Sequence, residues 1–268
     1  MVRTGMRKWS TAMVVALMVV GALAQTAVAE EKEASDIIEQ AVDRHTLGFE
    51  AGRATVELTV VDRQGEERVL ELDVRSRRRD DESRTMMELQ NPADVRGQAF
   101  LFHENEEGND DIWMYVPAFE VTRRVEGSQR QAAFLGTHFT FADLESQDLR
   151  EATYERLGDE TIGDYQVYVV EATPEDPAQS DYKKVVAYVR QDDYIPIRIR
   201  YYDRDGELDK TLFTERLETS GEGEDEATYI QRSTLRSETG GHTTIEIKEL
   251  DTEVELPSSI FDREEFGR

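Results

Sequence analysis

Most of the chain alternates apolar and polar residues with the two-residue period of a half-buried β-strand. The alternation is clearest at residues 54–60 and 195–202. Related runs predict further strands at residues 70–74, 83–90, 154–157, 165–173, 182–190, 208–217, 227–236 and 243–250. Short turns such as Gln64-Gly65 and Asp205-Gly206 separate these runs. Strands that follow one another through short turns predict a meandering antiparallel sheet.

Two segments instead carry apolar residues at the spacing of an amphipathic helix. The first covers residues 35–48 and has Ser35 as its expected N-cap, and the second covers residues 139–147 and has Thr140 in that position. A single helical turn is expected at Ser258–Phe261, near the end of the chain. The prediction is therefore a mainly β protein with a few short helices.

The stretch from Asn91 to Leu144 departs from simple alternation because its strands are apolar on both faces. Phe100 and Phe102 point to one face of their predicted strand, whereas Leu101 points to the other. Residues 112–116 are apolar on both faces in the same way. Such strands need cover on both sides, which a helix or second sheet provides on one face and an apolar ligand can provide on the other.

A sheet of about ten strands is too large to stay flat and is expected to curl. A curled sheet closes into a barrel, pairs into a sandwich, or remains a half-barrel whose concave face is covered by helices. The pattern leaves these three architectures open. The predicted helices at 35–48 and 139–147 are the natural covers for a concave face.

The N-terminus has the pattern of a cleavable secretory signal peptide. Basic residues precede an apolar run at about residues 12–23, and Ala27-Val28-Ala29 forms a cleavage site. The run is shorter than the roughly 20 residues that span a bilayer, which disfavours an uncleaved anchor. We therefore predict a signal peptide at residues 1–29 and a single β domain at residues 30–268. The chain contains no cysteine, which excludes disulfides, thiolate chemistry and a lipid-bearing cysteine anchor.

The formal net charge of −26 opposes binding to nucleic acid and to anionic lipid surfaces. Signatures of catalysis are also missing from the sequence, because the four histidines lack metal-ligand spacing and no nucleophile elbow or phosphate loop follows a strand. The acidic turn at Glu106–Asp111 is read as a solvated loop in preference to a weak calcium site. We expect no enzyme activity, no cofactor and no metal.

Aromatic side chains are the remaining candidates for function. Each one taken singly is better explained as core, but together they suggest the apolar lining of a lipid-binding cavity. The candidate cavity residues are Phe100, Phe102, Trp113, Tyr115, Phe119, Phe134, Phe139 and Phe141. Arg123 and Arg124 are candidate contacts for a lipid head group, or else partners of nearby acids.

The order of several short motifs resembles the LolA-like outer-membrane lipoprotein-sorting proteins. The closest branch is the longer one that includes the treponemal lipoprotein-type domain. The motifs are Asn91-Pro92 to Arg96-Gly97, residues 113–118 (WMYVPA), Arg123-Arg124, residues 134–137 (FLGT) and residues 139–144 (FTFADL), followed by Tyr194-Ile195-Pro196 and the closing Leu256-Pro257 to Phe261. The resemblance covers nearly all of residues 30–268.

This resemblance implies a half-barrel of antiparallel strands with helices as a lid over a hydrophobic cavity. It also implies a non-enzymatic periplasmic carrier that binds the acyl chains of a lipoprotein or another lipid and delivers them towards the outer membrane. An inner-membrane transporter of the RND or ABC type is the implied partner, and we expect a monomer. The alternative is an accessory module of an RND-type exporter or envelope assembly system, in which the aromatic residues form only a core.

Overall fold

The computed structural model describes residues 33–43, 51–79, 82–105, 110–145, 149, 151–221 and 227–267. The predicted signal peptide, residues 1–29, lies outside this part of the chain. Within the described ranges no helix is long and apolar enough to cross a membrane.

The described strands alternate as their sequence predicts and join into one antiparallel sheet. They are β1 (Gly52–Val61), β2 (Glu67–Arg79), β3 (Glu82–Asn91), β4 (Ala99–His103), β5 (Asp111–Val116), β6 (Val121–Arg124), β7 (Ala152–Ile162), β8 (Tyr165–Pro174), β9 (Tyr182–Arg190), β10 (Pro196–Asp203), β11 (Leu208–Ser220), β12 (Ala227–Ser237) and β13 (His242–Asp251). Among the described residues, two named α-helices accompany them, α1 (Ala34–Asp43) and α2 (Phe141–Glu145).

The sheet consists of two meanders joined at its centre. Strands β1 to β6 form one half in sequence order, β7 to β13 form the other, and the first strand pairs with the last. This order places β6 and β7 at opposite edges although they follow one another in the chain. Residues 125–151, here called the crossover segment, must therefore pass from one edge of the sheet to the other.

The described residues of the crossover segment lie against the apolar face of the sheet. Phe134 and Phe141 pack on the half formed by β1–β5, whereas Phe139 and Leu149 pack on the half formed by β8–β12. Leu144 contacts both clusters. The sheet is curled, as in LolA-like proteins, and does not close into a barrel. We call the face that carries the crossover segment the concave face.

Helix α1 covers the concave face beside the crossover segment. Its Ile37, Ile38, Ala41 and Val42 are buried against the half of the sheet formed by β7–β12. These positions follow the spacing of one helical stripe, which is why the pattern predicted an amphipathic helix. The concave face is thus covered by two separate elements of different origin in the chain.

The opposite, convex face of β3–β5 is covered by the C-terminal segment. Phe261 is fully buried and Phe266 nearly so, together with Ala99 and Leu101 of β4. The 3₁₀ turn Ser258–Phe261 presents Phe261 to the sheet, and His103 Nε2 lies 2.8 Å from the Phe261 carbonyl oxygen. Both faces of these strands are therefore covered by protein, as their two-sided apolar pattern requires.

The predicted fold class, a large curled antiparallel sheet with short helices on its concave face, is confirmed. The details differ in two places. A hairpin turn is expected near Pro117, but the strand after it, β6, has no predicted range, because its sequence is short and carries two arginines without an apolar alternation. Helix α1 begins at Ala34, so Ser35 lies in its first turn and is not the N-cap.

Replacement of Phe261 by alanine should lower the free energy of unfolding by about 3–5 kcal/mol, because it removes a fully buried ring and leaves a cavity. Urea denaturation measures this change. The matched control is Phe119→Ala, which removes a ring that is 74% exposed and should change stability by less than about 0.5 kcal/mol. A loss below about 1 kcal/mol for Phe261→Ala would show that the C-terminal segment is not part of the core.

Candidate functional site

Three of the predicted cavity residues pack ring against ring on the concave face. The ring of Phe134 lies 4.9 Å from that of Phe100 and 5.4 Å from that of Phe141, and Phe100 and Phe141 are 5.8 Å apart. All three side chains are buried, and Phe102 belongs to the same cluster. The crossover segment thus fills this part of the concave face with its own side chains.

The other predicted cavity residues lie elsewhere. Phe139 is buried in the cluster beneath α1, and Phe119 is 74% exposed. Trp113 and Tyr115 lie on the convex face, because Trp113 pairs with Leu101 while Met114 pairs with Phe100. There the ring of Trp113 lies 4.8 Å from that of His103, and Tyr115 lies 6.5 Å from Phe266. The structure therefore does not bring the eight aromatic residues together in one cavity.

Arg123 and Arg124 lie exposed on the edge strand β6. Arg124 is paired with Asp111 and, at 3.1 Å, with Glu126. Arg123 pairs in register with Met114, and among the residues that the structure describes it has no ion-pair partner. Of the two predicted head-group contacts, Arg123 is the one whose charge is available.

Helix α2 begins with a reciprocal cap. The Thr140 N–H donates to Asp143 Oδ2 at 2.6 Å, and the Asp143 N–H donates to Thr140 Oγ1 at 3.1 Å. This arrangement satisfies backbone donors that the first turn of a helix leaves unpaired. The predicted cap at Thr140 is confirmed, and it fixes the direction in which Phe141 enters the concave face.

Asp143 also joins α2 to the sheet through a buried ion pair. Lys210 Nζ of β11 lies 2.6 Å from Asp143 Oδ2, and the two side chains are 6% and 1% exposed. The Tyr182 hydroxyl donates to the other carboxylate oxygen at 2.8 Å. The ammonium group also lies over the rings of Tyr182 and Tyr201. Every charge in this cluster is thus compensated, as burial requires.

A second ion pair fixes the other end of α2. Glu145 is buried and pairs with Arg130, which lies earlier in the crossover segment. Arg130 Nη1 also donates to the Asp110 carbonyl oxygen at 3.0 Å. Burial lowers the pKa of Arg130, an effect that the negative charge of Asp110 opposes. Two buried ion pairs therefore position a helix of only five residues.

A pocket of about 300 Å³ opens beside α1. One stripe of the helix forms one wall, and Glu104, Leu149 and Tyr154 complete the lining, which consists of Ser35, Ile38, Glu39, Val42, Glu104, Leu149 and Tyr154. Glu104 follows β4 and Tyr154 lies in β7, so parts of the two halves of the sheet meet at this pocket. Its volume is at the lower limit of pockets that bind small molecules.

Tyr154 places a polar group in the apolar wall of this pocket. Its hydroxyl donates to the Leu149 carbonyl oxygen at 2.8 Å. Burial raises the pKa of Tyr154, and the negative charges of Glu175 and Glu39 raise it further. The hydroxyl therefore stays protonated at neutral pH and can serve as a donor to the carbonyl.

No group of three or more histidine or acidic side chains in the described ranges is arranged to hold a metal ion. Residues 106–109 of the acidic turn at Glu106–Asp111 lie outside those ranges. The arrangement of the concave face instead offers apolar surface, a pocket and a cover that is held in place by ion pairs.

Sequence reasoning missed the residues that position the cover. A signal for Asp143 was present, because an acidic residue three positions after Thr140 is typical of a capped helix. Lys210 was also detectable, since it shares a strand face with Leu212 where an apolar residue is expected. The pocket beside α1 had no signal, because it depends on how Glu104 and Tyr154 meet across the curled sheet.

Replacement of Lys210 by methionine should lower the free energy of unfolding by about 3–5 kcal/mol, because it leaves the Asp143 carboxylate buried without its cation. The double variant Asp143→Asn/Lys210→Met should recover a large part of this loss. Lys184→Met is the control, since its 2.7 Å ion pair with Glu171 is partly exposed and should contribute at most about 1 kcal/mol. Equal losses from both lysine variants in urea denaturation would contradict a special role for Lys210.

Comparison with known proteins agrees with this description. A family model described as an uncharacterized protein matches residues 81–268. No curated protein matches the chain. Among solved structures, one described as an outer membrane lipoprotein-sorting protein domain, from Vibrio parahaemolyticus, has a TM-score of 0.78 and 26% identity, and the match covers 88% of this chain and 98% of that one.

Two further structures share the fold. A DUF1329 family protein from Desulfovibrio piger has a TM-score of 0.76 and 23% identity, with 87% of this chain and 99% of that chain covered. A LolA superfamily protein from Nitrosomonas europaea has a TM-score of 0.64 and 22% identity over 87% of this chain and 99% of that chain. The chain belongs to the family whose model matches residues 81–268. Its own fold is LolA-like and is similar to that of the outer membrane lipoprotein-sorting protein domain.

Proposed function

We propose that this protein is a non-enzymatic periplasmic carrier that binds the acyl chains of a lipoprotein or another lipid on its concave face. The observation that carries the proposal is an apolar face that is covered by two elements, α1 and the crossover segment, with a pocket at their margin. A face of this kind provides area and shape, which are what an acyl chain needs, at about 0.8 kcal/mol per buried CH₂.

The relatives support the proposal. The Vibrio parahaemolyticus structure is described as an outer membrane lipoprotein-sorting protein domain and shares 26% identity with this chain. The LolA superfamily protein from Nitrosomonas europaea supports the fold. A carrier of this type would work in the periplasm and would receive its cargo from an inner-membrane transporter of the RND or ABC type.

The closed arrangement suggests how cargo would enter. A short chain would occupy the pocket beside α1, where Ile38, Val42 and Leu149 offer apolar surface. A longer chain would displace Phe134 and Phe141 from Phe100 and take their place on the concave face. The cost is the exposure of the two displaced rings and the loss of the ion pairs that hold α2.

The interlocked rings favour a second candidate function. If Phe100, Phe134 and Phe141 are permanent core, the protein is an accessory module of an RND-type exporter or envelope assembly system. This protein would bind its partner through its outer surfaces and would take up no lipid. The pocket beside α1 favours the carrier.

Replacement of Ser35 by tryptophan should fill the pocket, because Ser35 lines it and is itself exposed. The filled pocket should leave two methylenes of 1-monolaurin unburied, at about 0.8 kcal/mol each, so this ligand should bind at least about tenfold more weakly. Isothermal titration calorimetry measures this change. Gln40→Trp is the control, since Gln40 is exposed on α1 and does not line the pocket.

The control should bind 1-monolaurin within about twofold of the wild type. Absence of measurable binding by the wild type would contradict the carrier and favour the accessory module. An equal loss in both tryptophan variants would place the binding site away from the pocket.

Export with cleavage after Ala29 predicts a periplasmic protein that starts at Glu30. Osmotic shock of cells that express the full chain should release it, and its intact mass should correspond to residues 30–268. Retention of the uncleaved chain in the membrane pellet would contradict the predicted signal peptide.

A further inference from the structure

The pocket beside α1 combines apolar walls with an acidic rim. Glu39 and Glu104 are the charged residues among the described residues that line it, and no lysine or arginine is part of that lining. Glu104 has a cation nearby, since Arg78 Nη2 lies 3.9 Å from its carboxylate. Glu39 is exposed on α1. The described rim therefore has two carboxylates and one neighbouring cation.

The negative potential also acts on the pocket wall. The charges of Glu175 and Glu39 raise the pKa of Tyr154 beyond the effect of its burial, which means that both are felt at the phenol. The hydroxyl of Tyr154 donates to the Leu149 carbonyl oxygen, so its proton is already used. The Tyr154 hydroxyl proton is therefore not available to an entering anion.

We propose that the pocket selects single-chain amphiphiles by the charge of their polar end, and that it prefers an ammonium group over an uncharged group and rejects a carboxylate. The inference rests on the proposed carrier function and specifies the class of its ligand. The alkyl chain contacts Ile38, Val42 and Leu149, and the ammonium group lies between Glu39 and Glu104.

The energetics favour this order. The alkyl chain contributes the same apolar burial whatever its polar end is, so the difference between ligands comes from the rim. An ammonium group gains from opposite charges at a partly solvated site, and a carboxylate suffers a like-charge interaction of similar size. The net charge of −26 acts in the same direction at long range and low salt.

The test compares three twelve-carbon ligands that differ only at the polar end, namely dodecylamine, 1-monolaurin and laurate. Isothermal titration calorimetry at pH 7 and low salt, below the micelle concentrations, measures their affinities for the full mature protein. We expect dodecylamine to bind at least about tenfold more tightly than laurate, with 1-monolaurin between them. Equal affinities for dodecylamine and laurate, or tighter binding of laurate, would overturn the proposal.

A double variant separates the rim from the overall charge of the protein. Glu39→Gln/Glu104→Gln should reduce the preference for dodecylamine over laurate to about threefold or less. The control Glu160→Gln/Glu253→Gln removes two exposed carboxylates outside the pocket lining and should keep the wild-type preference. The same reduction in both double variants would assign the selectivity to net charge and overturn the role of the rim.

The ligand 1-monolaurin also distinguishes failure of the inference from failure of the carrier. If it binds but dodecylamine and laurate do not differ, the carrier stands and the charge selection is wrong. If none of the three binds, the carrier itself is wrong and the inference fails with it.

An ammonium group next to an alkyl chain has two sources, an aminolipid and the free N-terminus of a lipid-bearing peptide. Lauroyl lysophosphatidylethanolamine represents the first, and an S-dodecylcysteinyl-glycine amide represents the second. The peptide has no phosphate, so it should bind more tightly than the aminolipid. Binding of both more weakly than laurate would contradict recognition of the ammonium group.

Discussion

The structure depends on an open sheet whose concave face is apolar and whose chain must cross from one edge to the other. Because β6 and β7 occupy opposite edges, the crossover segment has no short route and runs over the concave face. The apolar residues of that face then have a cover that is built into the chain. Fold and cover are thus two consequences of one strand order.

Buried rings hold the covers of both faces, and ion pairs also hold the concave cover. On the convex face the C-terminal segment is anchored by Phe261, a fully buried ring, and by Phe266. On the concave face α2 is held by the ion pairs Asp143–Lys210 and Arg130–Glu145. Buried ion pairs add little net stability relative to apolar packing, but they fix one position. The ion pairs therefore fix where the concave cover lies, in addition to the packing of Phe134 and Phe141.

The sequence predicted the strands well because a half-buried sheet imposes a two-residue period, as in β1 and β10. Thr140 was predictable as a cap because capping depends on local geometry alone. The faces of Trp113 and Phe100 were not fixed relative to one another, because they depend on the register between β4 and β5. The pocket and the Asp143–Lys210 pair were also missed, because each joins residues that are distant in sequence and meet only in the curled sheet.

The central claim is that a bound apolar chain displaces the crossover segment from the concave face. Binding of saturated monoacylglycerols from eight to eighteen carbons, measured by isothermal titration calorimetry, tests this most directly. If the cover moves, affinity should rise by about fourfold per added methylene well beyond the chain length that a pocket of about 300 Å³ holds. An affinity that stops rising after the shortest chains would show that Phe100, Phe134 and Phe141 form a fixed core and would contradict the account.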